Sequence, residues 1–159
     1  MSHATPATRA LDAAKVAYRL HDYAYDPAAV NIGQHAAAAL GVDPARMFKT
    51  LMVALDGKPV CAILPVDHDL SLKKLAAALG GKQAAMLPAA DAERITGYRV
   101  GGISPFGRRK RVPVALDASA LAHATVVCNG GQRGLMIEVA PQAIMELLSA
   151  TVAAITSET

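Results

Sequence analysis

Two apolar runs of strand length, Phe48 to Leu55 and Pro59 to Pro65, are separated by little more than Asp56-Gly57. An Asp-Gly pair between such runs is the strongest short-range hairpin signal, because both turn residues must take positive φ. The runs are apolar on both faces, so this hairpin needs cover on both sides, and it constrains the fold more than any other segment. A second hairpin is expected from Thr125 to Cys128 and Leu135 to Val139 around Asn129-Gly130-Gly131, with another strand at Val112 to Leu116. Tyr18 to Tyr25 alternates and ends at Asp26-Pro27, which predicts a further strand.

Helices are expected between these strands. Pro6 to Val16 has helical spacing, Asn31 to Leu40 is Ala-rich and closed by Gly41, and Asp43-Pro44 caps a single turn before Met47. Ser71 to Leu79 ends at Gly80-Gly81 and Pro88 to Thr96 at Gly97. From Pro141 to about Ile155 the residues Ile144, Leu147, Leu148, Val152 and Ile155 share a helical face, which predicts one long terminal helix. Hairpins mixed with helices imply an α+β domain with a mixed or mostly antiparallel sheet and exclude a doubly wound parallel one. The 159 residues suffice for one core, and residues 1–159 are read as a single domain. With no Trp and only two Phe, that core must be built of Ala, Leu, Val, Ile and Met.

The composition narrows the function. Hydrophobic residues make up 53% of the chain, which excludes a disordered protein. No run reaches the length of a membrane helix, and the start lacks the basic and apolar regions of a secretion signal, so a cytoplasmic protein without a membrane partner is expected. The five histidines and two cysteines make no metal-ligand spacing, so no metal is expected; Cys61 and Cys128 are read as packing residues. A net charge of +3 suits an anionic partner without requiring one.

Four features can carry chemistry. Lys49 sits in a strand whose two faces are otherwise apolar, so its ammonium must find a pocket or an anion, or snorkel to water. Gly97 to Gly107 holds four glycines in eleven residues, a loop that lets backbone N–H groups approach a ligand. Ser104 is no nucleophile elbow, because the following residue is Pro105 and has no N–H to give. Arg108-Arg109-Lys110-Arg111 follows directly and would suit a polyanion, with Arg133 in the second hairpin turn adding a cation.

Phe48-Lys49-Thr50-Leu51, then Gly97-Tyr98 with Gly101-Gly102-Ile103-Ser104-Pro105, then Gly130-Gly131-Gln132-Arg133-Gly134-Leu135 follow one another in an order and spacing that resembles the YbaK family. These are free-standing editing domains related to the domain inserted in bacterial prolyl-tRNA synthetases. The resemblance spans Leu20 to Leu148. It implies a compact domain with a curved, barrel-like mixed sheet flanked by helices, and no cofactor. It implies trans-editing: deacylation of mischarged Cys-tRNA(Pro), by hydrolysis or lyase-type release, with the substrate's own thiol attacking its ester and prolyl-tRNA synthetase as a transient partner. The other readings are deacylation of an Ala- or Ser-charged tRNA, or a non-catalytic module that binds tRNA or a synthetase.

By the same resemblance Lys49 and Tyr23 are catalytic, and Thr50, Gly101, Gly102, Ile103, Ser104, Pro105, Asn129 and Gly130 bind substrate. Arg108, Arg109, Lys110, Arg111 and Arg133 would hold tRNA. Two departures leave the amino-acid specificity open. Asn129 stands where some relatives carry Ser, and Met136 where deacylase-type relatives carry Asp; Glu138 shares the face of Met136 two residues on.

Overall fold

The computed structural model describes residues 4–157. In chain order the elements are α1 (Pro6–Ala13), β1 (Arg19–Asp22), α2 (Ile32–Leu40), β2 (Phe48–Leu55), β3 (Lys58–Pro65), α3 (Leu72–Ala78) and β4 (Ala84–Met86). There follow α4 (Ala89–Thr96), β5 (Val114–Asp117), β6 (Val126–Asn129), β7 (Leu135–Val139), α5 (Pro141–Leu148) and β8 (Thr151–Ala153), with single 3₁₀ turns at Pro44–Arg46 and Ala118–Ala122.

The expected hairpin forms as β2–β3, with Asp56 (φ 50°) and Gly57 (φ 82°) in its turn and Leu55 paired with Lys58. The strands build a mixed fold in two sheets. One has the order β1-β7-β6; the other has the order β4-β2-β3-β5-β8, in which β3–β5 and β5–β8 are parallel. A parallel bridge between Met47 and Val127 ties them together just before β2. The curvature expected of the sheet is thus divided between two joined sheets, without closure into a barrel.

The alternation along β2 explains the layers. Phe48 and Met52 enter one core with Ile63, Phe106, Leu116 and Ile137, while Val53 and Leu55 enter a second with Leu64 and Leu75 beneath α3. A third cluster, Ala36, Ala37, Met47, Val66, Val127 and Met136, packs α2 onto the junction of the sheets. Both cysteines are free and buried in strands, and burial pushes the Cys61 thiol up to about 11 and the Cys128 thiol up to about 12.

Two elements differ from the sequence reading. The terminal helix ends at Leu148, where Ser149 turns left-handed (φ 49°), and Thr151–Ala153 instead pairs in parallel with β5. The β-branched Thr151 and Val152 suit a strand. Buried Asp117 fixes the detour, its carboxylate accepting bonds from the N–H of Ser119, the hydroxyl of Ser119 and the N–H of Ile155. Asp117→Ala should therefore cost about 2–3 kcal/mol, read as a lower urea midpoint at unchanged m-value. The second difference is β4, a strand of only three residues that pairs with Val53–Leu55 and stops.

Candidate active site

Where β4 stops, β2 is left with an open edge. The last link is the N–H of Leu87 donating to the carbonyl of Met52 at 3.2 Å. Backbone groups alternate sides along a strand, so Thr50, two residues earlier, turns its own N–H and C=O to the same, unpaired side. A cavity of about 370 Å³ opens there, and five consecutive residues, Phe48 to Met52, border it because it lies along the strand edge rather than on one face.

Lys49 is half-buried in this cavity and, among the described residues, makes no hydrogen bond or ion pair. Desolvation holds its ammonium below the ordinary lysine range, and the more distant charges of Asp69 and Asp67 oppose that shift. The Thr50 hydroxyl is buried without a hydrogen-bond partner. Tyr23 enters from the chain after β1, edge-on to His35 at 6.3 Å, and burial raises its phenol pKa.

The opposite wall is the glycine loop. Gly101 (φ 91°) and Ile103 line the cavity, as does Asn129 at the end of β6, whose amide donates to the Gly101 carbonyl at 3.0 Å. Gly102, Ser104, Pro105 and Gly130 do not line it. The Gly102 N–H is already bonded to the carbonyl of Arg99, and that of Gly130 to the carbonyl of Leu135. Ser104 is fully buried and accepts from the Phe106 N–H, and the Pro105 carbonyl accepts from Arg108. Of the loop groups expected at the substrate, only Gly101 and Ile103 reach the space it would fill.

One member of the basic run is withdrawn from the surface. Arg108 folds inward, its Nε on the Pro105 carbonyl and its Nη1 buried with no partner among the described residues. Arg109, Lys110 and Arg111 are exposed, Arg109 beside Gly97. Arg133 bends back onto the glycine loop, donating to the Val100 carbonyl.

The sequence did not expose the other half of the cavity. Ile32, Gly33, Ala36, Met47, Val66 and Met136 form an apolar chamber beside Tyr23 and Lys49. Met136 was noticed only as a departure, and its register opposite Asn129 in the β6–β7 pair is the signal that places it at the cavity. Glu138 does not stand in for a carboxylate there. It binds the hydroxyl of Thr125 and the side chains of Arg46 and His21 away from the cavity, and these bonds hold its carboxyl below the usual range. Among the described residues no three His, Cys, Asp or Glu side chains come together as a metal site, and no helix is long and apolar enough to cross a membrane.

Known proteins resemble this chain over most of its length. The aminoacyl-tRNA editing domain matches residues 26–147. A protein of Enterococcus faecalis that carries the provisional name Cys-tRNA(Pro)/Cys-tRNA(Cys) deacylase EbsC is 37% identical over 155 residues, covering 97% of this chain and 94% of that one. The proline–tRNA ligase of Geobacter metallireducens is 33% identical over 96 residues, which cover 60% of this chain and 16% of the ligase. Among solved structures, a protein provisionally described as a trans-editing enzyme for prolyl tRNA synthetase superposes with a TM-score of 0.81 at 22% identity, covering 98% of this chain and 99% of that one. With a fold of that shape and an editing-domain match over most of its length, the chain belongs to the aminoacyl-tRNA editing domain family.

Proposed function

We propose that this chain, acting as one editing unit, removes the amino acid from mischarged Cys-tRNA(Pro) in trans. The observation that carries the reading is one cavity bordered by Lys49, which makes no hydrogen bond or ion pair among the described residues, by the open edge of β2 at Thr50 and by Gly101. An aminoacyl ester is already activated, so the protein needs to hold it and stabilise the developing oxyanion rather than supply a nucleophile. The two cysteines lie deep in strands with raised pKa values, which supports leaving the attack to the substrate. The cysteinyl thiol attacks the ester carbonyl: a C–S bond forms, the C–O bond to the terminal ribose breaks, the thiol proton ends on the ribose oxygen, and water then opens the released four-membered thiolactone to free cysteine. Lys49 and the Gly101 N–H hold the carbonyl oxygen as it gains charge. Tyr23 and Asn129 border the acyl group, and the open strand edge at Thr50 offers its backbone N–H and C=O to the amino acid or ribose.

The apolar chamber suits a small, weakly polar side chain, and it penalises a serine hydroxyl that would be buried without a partner. The same lining would admit an alanyl group, since apolar pockets separate near-isosteric groups by only about 1–3 kcal/mol, but alanine has no thiol and should be bound without release by this route. A panel of tRNA(Pro) charged with Cys, Ala, Ser or Pro, assayed with and without prolyl-tRNA synthetase, tests this. Cysteine release with Pro-tRNA(Pro) left intact is expected, and tRNA binding without any ester cleavage would favour a non-catalytic module. Transient recruitment by the synthetase is expected to supply the choice of tRNA(Pro), a role consistent with the related segment inside proline–tRNA ligases.

Of the exposed cations Arg109, Lys110 and Arg111, the last two are expected to meet the acceptor backbone. Replacing both by Gln should weaken tRNA binding and flatten the slope of log K against log salt by about 1.5, with the thermal midpoint unchanged. An unchanged slope would mean that these side chains only meet solvent.

A further inference from the structure

We infer that Arg133 is a positioning residue for the glycine loop, holding the Val100–Gly101 peptide so that the Gly101 N–H faces the acyl group. This rests on the function proposed above and assigns Arg133 to the loop rather than to the tRNA backbone. Along the loop, four of the six backbone polar groups from Val100 to Gly102 are occupied. The Val100 N–H donates to Glu93 at 2.8 Å. The Val100 carbonyl accepts both Nε and Nη2 of Arg133, at 3.0 and 2.9 Å. The Gly101 carbonyl accepts from Asn129 and the Gly102 N–H donates to the Arg99 carbonyl at 2.8 Å. Of the three N–H groups, only that of Gly101 has no partner among the described residues, and Gly101 lines the cavity whereas Arg133 does not.

The peptide is trans and planar, so its N–H points opposite to its C=O. A guanidinium gripping the Val100 oxygen from outside therefore turns the Gly101 N–H away from itself. The grip is itself supported: the Arg133 guanidinium lies 5.2 Å from the Tyr25 ring centroid, within cation–π range. Its backbone N is 3.0 Å from where a side chain on Gly102 would begin. A donor fixed before substrate arrives needs no reorganisation during reaction, which is what oxyanion stabilisation requires.

Full-length Arg133→Lys and Arg133→Gln separate this role from a phosphate contact. The lysine keeps the charge but loses the planar two-donor grip. Both variants should slow single-turnover release of cysteine from Cys-tRNA(Pro) about 10–100-fold, with the Kd for uncharged tRNA within twofold and its salt slope unchanged. Amide hydrogen exchange at Val100 and Gly102, whose N–H groups are hydrogen-bonded in the loop, should rise at least tenfold in both. A wild-type rate in Arg133→Lys, with Arg133→Gln losing tRNA affinity and about one charge of salt slope, would overturn the proposal. If the wild-type protein cleaves no Cys-tRNA(Pro), the functional reading fails by itself. The exchange measurement still decides Arg133, because unchanged protection in Arg133→Gln refutes the clamp.

Discussion

Lys49→Ala should lower the rate of cysteine release from Cys-tRNA(Pro) by about 10³-fold while the protein unfolds at an unchanged or slightly higher urea concentration. Loss of one preorganised group facing a developing oxyanion typically costs about 10²–10³ in rate, and here the group also carries a full charge in an apolar cavity. The stability prediction follows from the sign of the pKa shift. Burial lowers the folded-state pKa of Lys49, so its charged form opposes folding at neutral pH, and stability rises as pH climbs through the folded value toward the unfolded one. Removing the side chain removes that penalty. In the wild type, activity that needs the ammonium should fall on the alkaline side at a lower pH than an unperturbed lysine would give. Full turnover by Lys49→Ala would remove Lys49 from the chemistry, and a collapsed urea midpoint would make it a structural residue.

Gly101→Ala is expected to have the next largest effect, a loss of about 10²-fold or more in kcat with a smaller change in KM. Gly101 sits at φ 91°, where a side chain is strained, and its Cβ would begin 2.6 Å from the Tyr25 hydroxyl and 3.3 Å from Arg133 Nε. The loop must move, and with it the one donor it presents. Gly57→Ala is the control. That residue has a similar φ of 82° but open space around its missing Cβ, so it carries the backbone penalty of about 1 kcal/mol without touching the cavity. Equal activity losses in the two variants, assayed below their melting ranges, would show that strain alone is being measured.

The sequence announced the parts of the site that break local rules. A lysine inside an apolar strand and four glycines in eleven residues are conspicuous because their ordinary roles do not fit, and both end at one cavity. The β2–β3 hairpin was equally legible, since Asp56-Gly57 can do little else. What makes Lys49 accessible was not legible. β4 is Ala-Ala-Met, with no β-branched or aromatic residue, and it is held by tertiary contacts: the Asp56 carboxylate accepts from the N–H groups of Lys82 and Gln83 and sets the strand beside β2. Its early stop opens the edge at Thr50. The apolar chamber was hidden for the opposite reason, since Ala36, Met47, Val66 and Met136 look like any core residues and their exposure to a cavity depends on how α2 meets both sheets.

Charge in the chain misled in a similar way. Four consecutive basic residues suggest a patch of four, yet they pass through irregular backbone that turns the first of them inward. Arg108 is taken up by the Pro105 carbonyl, and the cations left at the surface are Arg109, Lys110 and Arg111. At the other end, Ile144, Leu147, Leu148, Val152 and Ile155 keep helical spacing, but the last two reach the core from β8 and the segment that follows it. Periodicity there described which residues are buried and not how the backbone brings them in.

Binding of a non-hydrolysable cysteinyl-adenosine amide, followed by NMR at the Lys49 side-chain nitrogen and the Gly101 amide of the full chain, tests whether these two groups meet one ligand. Both resonances should shift together and saturate at one ligand concentration. A ligand that binds while both stay unmoved, shifting Lys110 and Arg111 instead, would contradict this.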